Sequence, residues 1–139
     1  MQCTLPGSWK YLFLSSVLLS SAFVCKANEP SVALTQLLEG RGNANALLIL
    51  QQGSVNSAVL TQAGQANTGL LMQSGAFNEV QLQQVGQRNN ASIRQLGVGN
   101  TATLSQLGVG HSLTLEQYGG QSFELTQIGN GIEISIVQY

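Results

Sequence analysis

Residues 78–110 read NEVQLQQVGQR, NNASIRQLGVG and NTATLSQLGVG, three consecutive blocks of eleven that open on Asn78, Asn89 and Asn100. Within each block every second residue from the Asn is apolar or an amide. The series are Asn78-Val80-Leu82-Gln84, Asn89-Ala91-Ile93-Gln95 and Asn100-Ala102-Leu104-Gln106. The opposite parity is polar or mixed, as in Glu79-Gln81-Gln83, Asn90-Ser92-Arg94 and Thr101-Thr103-Ser105. Alternation of this kind predicts strands with one buried face. An eleven-residue period also suits a right-handed helical supercoil, but a helix would carry a Gly in every block, at about 1 kcal/mol each.

Outward from these blocks the period persists in both directions, as a repeat architecture requires. Gln recurs at Gln51, Gln62, Gln73, Gln84, Gln95, Gln106 and Gln117, then at Gln127 after a step of ten, and at Gln138. Two residues after each of the first eight comes Gly: Gly53, Gly64, Gly75, Gly86, Gly97, Gly108, Gly119 and Gly129. Asn opens the early units at Asn45, Asn56, Asn67, Asn78, Asn89 and Asn100. His111, Gln121 and Ile132 take that place in the last three. Each unit therefore predicts a seven-residue strand and a four-residue turn carrying the Gly.

Two units make a strand–turn–strand coil of 22 residues. Stacked coils predict an all-β solenoid over 45–139, with two parallel in-register sheets about 10 Å apart and rungs about 4.8 Å apart. Gln would then lie on Gln and Asn on Asn, each amide donating to one neighbour and accepting from the other. That ladder is what makes their burial tolerable. Proline would remove a rung N–H, and both prolines, Pro6 and Pro30, lie ahead of the repeats. Both ends of such a stack are open parallel edges.

The N-terminal 27 residues predict a signal peptide. Lys10 precedes the uncharged run Tyr11–Val24, which is too short to span a bilayer as a helix. Cleavage after Ala27 or after Ala22 both fit the small-residue rule. Lipidation at Cys25 fits less well, because Val24 precedes it. Removing residues 1–27 removes Cys3, Cys25, Lys10 and Lys26. The remainder has no thiol for disulfides or metal. Residues 28–44 form a non-repetitive lead-in.

Charge is scarce: five Lys or Arg and six acidic residues in 139, all six of them Glu. Nucleic-acid binding needs far more basic residues than this. Without Asp, and with His111 as the lone His, a catalytic triad or metal cluster has no parts. Glu29, Glu39, Glu79, Glu116, Glu124 and Glu133 are scattered, and no Gly-rich loop carries a P-loop Lys. The expectation is a non-enzymatic chain with no cofactor, metal or small-molecule substrate. In an in-register stack a charge would lie about 4.8 Å from its own copy, so neutral amides suit the interior and Glu suits the outer face, where it slows aggregation.

The pattern Gln51, Gly53, Asn56, Ala58, Gln62, repeated as Gln95, Gly97, Asn100, Ala102, Gln106, closely resembles the curlin repeat. Curlins are subunits of curli, the extracellular amyloid fibres of Gram-negative bacteria. The resemblance covers 45–139. It implies a subunit exported through the curli outer-membrane secretion machinery, polymerising with itself and the other curlin subunit at the cell surface for biofilm formation and adhesion. The lead-in 28–44 lacks the Gly-rich character of the major subunit and resembles that of the minor, nucleating subunit; the departures at His111, Gln121, Ser122 and Ile132 point the same way. The end from Thr126 to Tyr139 is similar to the tail of the major subunit, and no basic terminal repeat follows Arg94. The balance favours the nucleator, with the major subunit as the alternative. An ice-binding face is broken at Glu79-Val80-Gln81 and Phe123-Glu124-Leu125. A monomeric adhesin would need polar end caps.

Overall fold

The computed structural model describes residues 2–4, 20–27 and 45–139. The lead-in 28–44 and most of the leader lie outside the described residues. Two short strands come first, β1 (Gln2–Thr4) and β2 (Ser20–Ala27). The repeats then supply β3 (Ala46–Ser54), β4 (Asn56–Gln65), β5 (Thr68–Ala76), β6 (Glu79–Gln87) and β7 (Asn90–Val98). They continue with β8 (Thr101–Val109), β9 (Ser112–Tyr118), β10 (Ser122–Asn130) and β11 (Glu133–Gln138).

Successive repeat strands alternate between two sheets. One runs β11-β9-β7-β5-β3 and the other β1-β2-β4-β6-β8-β10. All pairings from β3 to β11 are parallel and in register: Gln62 lies beside Gln84 and Gln84 beside Gln106, while Gln51 lies beside Gln73 and Gln73 beside Gln95. The fold is a parallel β-solenoid of about four turns, each of about 22 residues. The core is a double file of small and branched side chains, Ala58, Leu60, Val80, Leu82, Ala102 and Leu104 from one sheet and Leu47, Ile49, Leu71, Ala91, Ile93, Leu113 and Leu115 from the other. At the C-terminal end Phe123, Leu125, Ile134 and Ile136 continue these files but are only half-buried. Among the described residues no rung lies beyond them.

Two features differ from the sequence expectation. Most repeat strands run for nine or ten residues and pass through the Gly, so only Gly119 of the eight falls outside a strand. The residue that reverses the chain is four after the Gln, at φ +55 to +57 in Val55, Ala66, Phe77 and Arg88. Gly99, Gly110 and Gly131 hold the same place in later units. The second difference is at the N-terminal edge of the sheet that holds β4. There β2 lies antiparallel on β4, from Ser20 opposite Ala63 to Ala27 opposite Asn56, and β1 pairs with β2.

Candidate functional site: the amide ladders

The site is distributed along the stack. In the five-stranded sheet Gln51 Nε2 donates to Gln73 Oε1 at 2.7 Å, Gln73 to Gln95 and Gln95 to Gln117 at 2.8 Å, and Gln117 to Gln138 at 3.0 Å. In the other sheet Gln62 donates to Gln84 at 2.7 Å, Gln84 to Gln106 at 2.8 Å, and Gln106 to Gln127 at 2.7 Å. Every bond points the same way, from the earlier coil to the later. Strand geometry dictates this column, because identical residues recur at one rung spacing on the inward face.

Each Gln has a second N–H to place, and the structure sends it across the coil. Gln62 Nε2 reaches the Ala46 carbonyl at 3.1 Å, Gln84 that of Thr68 at 3.0 Å, and Gln106 that of Asn90 at 3.1 Å. Gln73, Gln95 and Gln117 do the same to Ser57, Glu79 and Thr101. Each amide thus ties its rung to the next and its sheet to the facing one. The ladder was legible in sequence; this cross-coil bond was not, because its acceptor is a backbone atom of whatever residue opens the facing strand.

The Asn columns work differently from the Gln columns. Asn56 Oδ1 accepts the backbone N–H of Asn78 at 3.1 Å, and Asn78 Oδ1 accepts that of Asn100 at 3.1 Å. Asn45, Asn67 and Asn89 form the other column, ending on the His111 N–H. The Nδ2 groups turn to backbone carbonyls at the bend: Asn56 to Gln52 and Gly75, Asn67 to Ala63 and Gly86, Asn89 to Val85 and Gly108. Asn closes the arc as well as stacking on itself.

That arc explains the Gly. A Cβ placed on Gly64 would overlap the Gly86 carbonyl oxygen of the next rung, and Gly53, Gly75, Gly86 and Gly108 stand in the same relation to Gly75, Gly97, Gly108 and Gly129. Two requirements coincide at these glycines, the close backbone approach and a φ between +106 and +141 that L side chains rarely adopt. Among the described residues Gly129 has no rung beyond it, and a Cβ there meets nothing within 4 Å.

His111 takes the Asn place by matching its bonds. Its Nδ1 accepts the Ile132 N–H at 3.3 Å, as an Asn Oδ1 would, and its Nε2 lies 3.2 Å from the Leu107 carbonyl, as an Nδ2 would. Accepting at Nδ1 and donating at Nε2 specifies the neutral ring with its proton on Nε2. The two Asn columns then stop, one at Ile132 and one at Gln121, whose side-chain amide turns to the Gly119 carbonyl at 3.3 Å. Both Gln columns continue into the last coil, to Gln127 and Gln138.

At the opposite end Gln62 is 1% exposed, and its Oε1 has no hydrogen-bond partner. Charged chemistry is confined to the outer surface. Tyr118 donates to Glu116 Oε2 at 2.7 Å, and this bond, with the nearby carboxylate charge, holds the phenol above its ordinary range. Tyr118 also stacks on Tyr139, ring centroids 5.2 Å apart. Among the described residues no three His, Cys, Asp or Glu side chains gather where a metal ion could be held.

Parallel rungs and continuous side-chain amide columns define a class, the parallel β-solenoids, whose in-register amide stacking is of the kind found in amyloid ladders. Within that class, residues 86–119 match the family model of the curlin associated repeat. Over those residues, which span β7 to β9 with the end of β6, the chain is similar to curlin repeats, and curlins are subunits of extracellular curli fibres. No curated protein and no solved structure matches the chain.

Proposed function

We propose that this chain is a structural subunit of extracellular curli-type amyloid fibres, and that it acts as the minor subunit, nucleating polymerisation of the major one at the cell surface. In this reading the chain is no enzyme. It passes the inner membrane on a cleaved leader, leaves through the curli outer-membrane machinery, and serves biofilm formation and adhesion. The observation that carries the reading is the pair of Gln columns running without a break into a half-buried apolar last coil. An incoming chain of the same repeat can extend both columns and cover Phe123, Leu125, Ile134 and Ile136.

The nucleating role draws its support from the irregular Asn places at His111, Gln121 and Ile132, looser than a bulk subunit needs. The test is seeding. Trace amounts of the unaggregated chain are added to soluble major curlin from the same organism, and the lag before thioflavin fluorescence is recorded. A marked shortening is expected. Self-assembly of the chain in bulk with no effect on the added curlin would assign it instead as the major subunit.

A further inference from the structure

Between residues 45 and 139 the chain lays down five strands in one sheet (β3, β5, β7, β9 and β11) and four in the other (β4, β6, β8 and β10). The first and last repeat strands therefore lie in the same sheet. The cross-coil bonds repeat alike at successive steps, Gln62 to Ala46, Gln73 to Ser57 and Gln84 to Thr68, so each strand sits half a rung beyond its predecessor in the facing sheet. Among the described residues the first vacant seat beyond β11 is thus on β10.

A second copy added by translation alone would set its β3 on β11 and its β4 on the four-stranded side. With Ser20–Ala27 off the β4 edge that it covers in the full chain, this leaves one seat on β10 unfilled, with unpaired backbone groups on both its edges. A half-turn about the stack axis removes the fault. The incoming β3 then pairs with β10, and the incoming β4 pairs with β11. We propose that consecutive copies of this chain join head to tail by a half-turn screw, so that each copy's five-stranded sheet continues into the next copy's four-stranded one. The proposal rests on the self-assembly reading above and adds the symmetry of the joint.

A second observation agrees with the half-turn. The buried Gln62 Oε1 lacks a donor. In the half-turn joint Gln138 of the preceding copy lies one rung below it, in register, with an Nε2 directed as in every other bond of the column. In the translated joint Gln62 faces the unfilled seat. The apolar files agree with the half-turn. Register sets Phe123 and Leu125 on the next copy's Leu47 and Ile49, and Ile134 and Ile136 on its Ala58 and Leu60. For this joint to form, Ser20–Ala27 must leave the β4 edge that it pairs with in the full chain.

The test uses fibres grown from the full chain exported by a bacterial host, with paired cysteines on the outer face and cross-linked peptides identified by mass spectrometry. A disulfide needs Cα atoms about 4.4–6.8 Å apart, which adjacent rungs provide and a different sheet does not. The half-turn predicts links between copies for Thr126→Cys with Leu50→Cys and for Val137→Cys with Thr61→Cys. It predicts none for Val137→Cys with Leu50→Cys. Linkage of the last pair alone, or of none in intact fibres, overturns the proposal. Helical reconstruction of unsubstituted fibres separates the two joints without cysteines: the half-turn gives about 22 Å rise with a 180° rotation per copy, and translation gives about 24 Å without rotation. Failure of the unsubstituted chain to form fibres at all would overturn the self-assembly reading itself.

Discussion

Val55, Ala66, Phe77 and Arg88 hold left-handed backbone angles that L side chains adopt at a cost of order 1–3 kcal/mol. Val55, β-branched, is the most strained by side-chain shape. Val55→Gly is expected to stabilise the chain by about 1 kcal/mol, read from the denaturation midpoint, since Gly99 and Gly110 hold the equivalent place with open space around them. No gain would mean that the Val55 side chain makes a compensating contact. His111 provides a second test. His111→Asn keeps both bonds and should be neutral or stabilising, whereas His111→Leu strands the Ile132 N–H and should cost about 1–3 kcal/mol. The sequence showed the Gln, Asn and Gly places because the same residue returns to each. It could not show the left-handed place, whose occupant passes from Val to Ala, Phe, Arg and Gly without a common chemical type. Nor did it show that Gly marks a close approach of backbones rather than the reversal itself.

Ladders and edges belong to the scale of the strand. Gln84→Ala, in the middle of β6, would leave the buried Gln106 Oε1 without its donor and Gln62 Nε2 without its acceptor. A loss of about 2–5 kcal/mol is expected from the two unmet groups and the emptied space. Gln81→Ala, on the exposed face of the same strand, should stay within about 0.5 kcal/mol. Equal effects would show that the column contributes no more than bulk. The alternation within each unit made the strands and their inward face legible, and the period made the register legible. What alternation could not supply was the antiparallel β2 on the β4 edge. Its sequence, SSAFVCKA, has no repeat signature, and the pairing depends on an edge left unfilled by the repeats. A chain without residues 1–27 should therefore enter thioflavin-positive fibres with a shorter lag than the full chain. A longer lag would make β2 a template in place of a cover.

For the molecule as a whole, the two kinds of column end unequally. Gln runs to the last coil, while the Asn columns stop at Ile132 and Gln121. The proposed joint between copies would therefore be held by fewer side-chain bonds than a rung inside a copy. Ile132→Asn restores an acceptor at the end of one column, and fibres of that variant should break less readily under sonication, measured as mean length after a fixed dose. Shorter fibres would argue that the apolar Ile132 matters more to the joint than the missing amide.

The uniform direction of the Gln bonds reaches further than adhesion between rungs. A side-chain amide is a dipole, and hydrogen-bonded amides in line polarise one another. Two columns in which one Nε2–H of each donating Gln is aimed toward the C-terminal coil sum those dipoles along the axis instead of cancelling. The stack is thus electrically unsymmetrical, with N–H groups foremost at the Gln127 and Gln138 end and carbonyl oxygen at the Gln62 end. A fibre built head to tail from such units carries that sense along its whole length. Its two tips are then chemically different objects, and a molecule that reads charge can tell which way the fibre points.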